Sequence, residues 1–189
     1  GWSDSHLHEF EIRERKYGTP DPEFLDEDPP VSIEKKFRLN QVLGEGDTCT
    51  YLYDFGDNWA HRITVESIEH LDEKTAQSRT VWVEAGARAC PPEDAGGVGQ
   101  YQDFLESLEN DPYGEETKAT REWAGLDFDP ERFDRQAANN AIDRLLWNGW
   151  IKIGFVCGEH QRRLLEHRKR EVDLMFVNCH WYIAAVCDF

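Results

Sequence analysis

The chain has 189 residues, 39% hydrophobic and 12% aromatic, with a formal net charge of −17. That apolar share supports a packed core and excludes a disordered chain. The excess of acid excludes broad phosphate binding, which needs clustered Lys and Arg, and no window is apolar enough for a membrane span.

In chain order, "SHLHEFEI" (5–12) alternates, with His6, His8, Phe10 and Ile12 on one face of an expected strand. Residues 18–30 hold four Pro and five acids and read as a surface loop. "FRLNQVL" (37–43) reads as a brief helix ending at Gly44. "YLYDFGDNW" (51–59) is an aromatic strand entering a Gly56-Asp57-Asn58 turn, and Trp59, His61, Ile63 and Val65 share a face of the returning strand. A three-residue hairpin would pair Phe55 with Trp59 and Tyr53 with His61.

"RTVWVEA" (79–85) reads as a further strand, and "CPPEDAGGVGQ" (90–100) as a loop feeding a helix with Tyr101, Phe104, Leu105 and Leu108 on one side. A short helix follows over 115–125, stopped by Gly125. The next is expected to start with Asp129 as N-cap and Pro130 as its first residue. In the tail, "WIKIGFV" reads as a strand, "GEHQRRLLEHRKR" as a basic helix or turn, and "VDLMFVNCHWYIAAV" as a hairpin.

Charge divides the chain. Residues 148–189 carry 6 basic and 5 acidic side chains out of totals of 21 and 38, so the acidic excess lies wholly in 1–147. We therefore expect an α+β domain over 1–147, an antiparallel sheet with packed helices, and a small β-rich C-terminal extension over 148–189. Cys49, Cys90, Cys157, Cys179 and Cys187 are odd in number and form no CxxC pair, which favours a reducing cytoplasm over a disulfide framework. The chain opens without Met or a signal-peptide pattern, as a fragment or processed form would.

"GWSDSHLHEFEI", "YDFGDNWAHRITVE", "CPPEDAGGVGQYQDFLESL" and "EWAGLDFDPERFD" occur in this order. Together they resemble the plasmid Orf-three-like family, passenger proteins of plasmids and insertion elements, over about residues 1–146. The resemblance implies a compact α+β fold with an antiparallel sheet, and no reaction. Two features depart from the family pattern. The strand and helix that usually precede "GW" are missing, and the stretch that is often His-rich holds Tyr113, Gly114 and Thr117 instead. No metal role of those histidines transfers. The segment 149–189 is similar, less specifically, to the N-terminal barrel region of OrfB-type, RNA-guided transposon nucleases. Their carboxylate-metal centre lies in a later domain, so the likeness implies no nuclease activity here.

The residues offer several chemistries. His6, His8 and His61 form a candidate metal set, because an HxH pair on a strand shows both rings on one face; Cys90 or Asp94 would complete it. Asp54, Asp57, Glu93 and Asp94 could supply a carboxylate pair, against turn capping by Asp57 and a surface pairing of Asp54 with Arg62. "GGVGQY" lacks the Lys of a phosphate loop, and residues 1–147 lack the Arg cluster of a serine recombinase. A Cys90/His61 dyad is read as structural. What remains is a binding cleft at the hairpin apex, lined by Tyr53, Asp54, Asp57, Trp59, Glu93, Asp94 and Tyr101.

The reading is thus a cytoplasmic, non-catalytic protein-interaction module with no cofactor. The alternative is an enzyme dependent on a divalent metal at the His cluster. A protein partner is expected, with no membrane and no direct nucleic-acid binding by 1–147. Homodimerisation is expected if the missing leading unit bares a sheet edge.

Overall fold

The computed structural model describes residues 2–20, 30–68, 81–147 and 183–188, with the backbone alone described at 146, 147 and 183–188. Among the described residues six strands form one sheet: β1 (His8–Ile12), β2 (Arg15–Gly18), β3 (Ser32–Ile33), β4 (Thr48–Tyr53), β5 (Trp59–Ile68) and β6 (Ile183–Asp188). Their order is β3-β2-β1-β4-β5-β6. Every pairing is antiparallel except β2 with β3. Among the described residues four α-helices accompany it: α1 (Leu39–Val42), α2 (Gly97–Asn110), α3 (Glu115–Ala124) and α4 (Arg135–Trp147). The fold is α+β, as expected.

Alternation makes the sheet one-sided. His8, Phe10 and Ile12 of β1 face the same way as Tyr17, as Cys49, Tyr51 and Tyr53, and as Trp59, His61, Ile63 and Val65, through the registers Phe10↔Tyr17, Phe10↔Tyr51 and Tyr51↔His61. The opposite face carries Glu11, Thr50, Ala60 and Arg62, together with a Lys16–Glu9 ion pair at 3.5 Å. At one end of the inner face Ile12, Tyr17, Leu43, Cys49 and Val65 form the buried core, closed by Phe37, Leu39 and Val42 from around α1. The other end is closed differently, by Trp2 and the loop before α2.

The β1–β2 hairpin was not legible. Its two-residue turn is Arg13-Glu14, with φ of 49° and 65°. This is the positive-φ turn that Asn-Gly or Asp-Gly usually signals, and neither residue announces it. The expected loop accordingly begins late, because Gly18 still belongs to β2.

Three further expectations are corrected. The β4–β5 register is Tyr53↔Trp59 and Tyr51↔His61, so the apex is a five-residue loop, 54–58, rather than a three-residue one. Residues 81–85, the described part of the strand expected over 79–85, join no strand ladder. Instead the Asn139 side chain of α4 accepts from Val83 N–H (2.7 Å) and donates to Val83 C=O (2.9 Å), so one amide satisfies both backbone groups. Finally α4 starts at Arg135, and its cap is Asp134, which accepts from Ala137 N–H at 2.9 Å. Asp129 closes a preceding turn through Glu131 N–H (3.1 Å). The tail strand, helix and hairpin expected over 148–189 lie outside the described residues, apart from β6, which extends the sheet beside β5.

Candidate functional site

Three distant segments meet at the β4–β5 apex. Asp54 follows β4 in the left-handed conformation, φ 57°. Its N–H donates to Leu7 C=O (2.9 Å), and its Oδ1 accepts from Gly56 N–H (2.9 Å) and Asp57 N–H (3.3 Å). Asp57 in turn accepts from Gly96 N–H through Oδ2 (2.9 Å), which seats the 90–97 loop on the apex. On the other side of that loop Glu93 accepts from Ser3 N–H, Ser3 Oγ (2.8 Å) and Tyr53 Oη (3.3 Å). Trp2 Nε1 donates to Pro91 C=O (2.9 Å), and the indole stacks on Tyr53 with centroids 4.8 Å apart. It also lies 5.4 Å from Trp59 and 5.3 Å from His61.

The three histidines of the expected metal set share this face but take separate partners. His6 precedes β1, with Nδ1 3.5 Å from Asp54 Oδ2 and Nε2 3.2 Å from Asp94 Oδ1. His8 Nε2 lies 3.2 Å from Oε2 of buried Glu34 and Nδ1 3.9 Å from Asp4. His61 points Nδ1 at its cross-strand neighbour, Tyr51 C=O, at 3.1 Å. The Tyr51 ring lies against both His8 and His61, with centroids 5.7 and 5.5 Å away. Among the described residues, the metal-ligating group that does converge is His6, Asp54 and Asp94, one atom of each within 4.8 Å of the others.

Of the expected cleft, Tyr53 and Trp59 are buried beneath Trp2 and serve as core. Tyr101 of α2 meets Trp59 at 6.1 Å and so joins helix to sheet. Asp54 is 8% exposed, so it is a buried turn residue and not a surface partner of Arg62. Arg62 pairs with Thr50 in the ladder. The large apolar side chains that reach solvent around the apex are Leu7, Phe55 and Val98, each about half exposed, and the cleft expected from the sequence included none of the three. Tertiary placement decides their exposure, and no local pattern marks it.

Electrostatics follow the burial. Glu93 is pushed up by burial, but the hydrogen bonds from Ser3 and Tyr53 and the nearby His6 outweigh this and leave its carboxyl below the usual range. His8 is held above its ordinary value by the hydrogen bond to Glu34, against the opposing effect of burial. Burial depresses His61 and raises the Cys90 thiol, so Cys90 carries less thiolate than an exposed cysteine.

These features define an acidic α+β domain whose one-sided sheet is sealed at one end by a small core and at the other by a Trp-capped, carboxylate-rich apex. The chain belongs to the plasmid pRiA4b ORF-3-like protein family, whose profile matches residues 1–137. It is 38% identical over 147 residues to the uncharacterized protein y4hQ of Sinorhizobium fredii, covering 77% of this chain and 72% of that protein. It is also similar to the crystal structure of MM3350 from Methanosarcina mazei Go1, a protein of unknown function. The TM-score is 0.60 and the identity 37%, covering 72% of this chain and 75% of the other. Among the described residues no helix is long and apolar enough to cross a membrane.

Proposed function

We propose that the β4–β5 apex is an interaction surface for a cationic, partly apolar protein segment. The observation that carries this reading is the placement of half-exposed Leu7, Phe55 and Val98 on segments bonded to one another around Asp57 and Asp94. Apolar side chains supply contact area, and the carboxylates beside them favour Lys and Arg on the partner and disfavour acidic competitors. The chain's net charge of −17 adds long-range attraction for such a partner. The aromatic core beneath makes the surface rigid, so little ordering cost attends binding. The plasmid in the family's name suits carriage by plasmids and mobile elements, and a cytoplasmic location remains part of this proposal.

The test is a fluorescence-anisotropy titration with a library of Lys/Arg-containing peptides that carry one aromatic or aliphatic anchor. Binding that weakens at least tenfold in Phe55→Ser, and weakens with added salt, supports the reading. If no peptide binds more tightly than an acidic control, or if Phe55→Ser binds unchanged, the surface is not the site.

A further inference from the structure

We infer that His6, Asp54 and Asp94 bind a divalent transition-metal ion. The three come from segments far apart in sequence, namely the chain before β1, the end of β4 and the loop before α2, yet one ligand atom of each lies within 4.8 Å of the others. A zinc ion with bonds of roughly 2.1 Å places its ligands about 3.4 Å apart. His6 meets the two carboxylates through different ring nitrogens, Nδ1 at 3.5 Å from Asp54 and Nε2 at 3.2 Å from Asp94, so both carboxylates would close on a single nitrogen to hold one ion. Imidazole with two carboxylates is a donor set that zinc, iron and manganese accept.

Charge supplies the second argument. Two carboxylates converge here, and among the described residues the ring of His6 lies against both, with no Lys or Arg paired to either. Asp54 is the more constrained of the two. Its Oδ1 is occupied by the Gly56 and Asp57 amides, which leaves Oδ2 turned to the ring. A bound cation would compensate both negative charges at once and join the three segments. Asp94 is 72% exposed at its side chain, so the remaining coordination positions would open to solvent.

The set differs from the His6, His8 and His61 cluster expected from the sequence, because His8 and His61 are held by Glu34 and by Tyr51 C=O. It shares Asp94 with the peptide-binding reading, which needs no ion and keeps Asp57.

The experiment is isothermal titration of the untagged, chelator-treated full chain with Zn²⁺ and with Mn²⁺ at pH 7.5, alongside Asp94→Asn and His6→Gln. Asn tolerates the left-handed backbone at 94, where φ is 56°, so Asp94→Asn is expected to fold as the parent does. Circular dichroism of the metal-free proteins checks this. The expected result is one saturable site that weakens at least tenfold in both variants, together with loss of the metal-induced rise in Tm. Absence of saturable binding, or binding of equal strength in parent and variants, overturns the inference; the second outcome would assign the ion to other residues of the chain.

Discussion

The main-chain carbonyl of Asp57 occupies the place a side chain on Gly97 would need. Gly97 also has φ of +76°, which L side chains rarely adopt, although it is the first residue of α2. The apex and the helix therefore approach through a glycine, and the contact holds the 90–97 loop against β4–β5. Gly97→Ala should destabilise the fold by about 2–3 kcal/mol, from backbone strain and steric conflict together. Gly99→Ala is the control. Nothing lies within 4 Å of its would-be side chain, and its position in α2 favours Ala by up to ~1 kcal/mol. Urea unfolding of the two variants measures both.

Trp2 bridges the chain start to both sides of the apex. Trp2→Ala removes the stack on Tyr53, the contacts to Trp59 and His61, and the bond to Pro91 C=O. The expected cost is about 3 kcal/mol, the lower part of the range for buried aromatic truncation, because the indole is partly exposed. Trp2→Phe keeps some of the packing and loses the hydrogen bond, so it should fall between. An unchanged unfolding midpoint in Trp2→Ala would show that the indole does not seal this end of the sheet.

The His8–Glu34 pair sets a pH dependence whose sign is fixed by the direction of the shift. His8 in the folded state sits above 6.5, so folding is stabilised fully below 6.5 and that stabilisation is lost as pH rises through the higher folded value. The stability difference between the parent and Glu34→Gln should therefore be largest near pH 5.5 and shrink toward pH 9. Unfolding titrations across that range read it. A difference that grows with pH would contradict the pairing.

His61 acts in the opposite sense. Burial lowers its value below 6.5, so the unfolded chain takes up a proton first as pH falls, and stability drops from about pH 6.5 downward until the folded form also protonates. His61→Gln should flatten that acid limb, by at most about 1.4 kcal/mol per pH unit for one proton.

Asn139 replaces a strand partner for Val83. Asn139→Ala leaves a backbone donor and an acceptor without their pairing and should cost about 1–3 kcal/mol. The Val83 amide should also lose hydrogen-exchange protection, which separates this effect from general loosening of α4.

Several elements were legible because a local physical signal announced them. Alternation in "SHLHEFEI" and "WAHRITVESI" matches β1 and β5, the 3- and 4-residue spacing of Tyr101, Phe104 and Leu108 matches α2, and Gly125 ends α3. The β2 strand was hidden because Arg13 and Glu14 adopt a turn conformation that their identities do not advertise. The helix cap was misplaced because Asp129 and Asp134 both suit a cap, and packing chose between them. At the site, most residue identities were visible and their grouping was not. Asp94 stood as a possible complement to His6 and, with Asp54, among the carboxylates, but nothing local joined Asp54 to His6, 48 residues earlier in the chain.

The sequence by itself determined the periodicities, hence the α+β class, the inward face of the sheet, the acidic balance and the family. These follow from side-chain spacing and composition, which need no knowledge of what packs where. The tertiary structure alone decided that Tyr53 and Trp59 are core while Phe55 is exposed, and that His6 meets two aspartates rather than two histidines. Those outcomes depend on hairpin register and loop docking, in which a shift of two residues preserves the face but changes every partner.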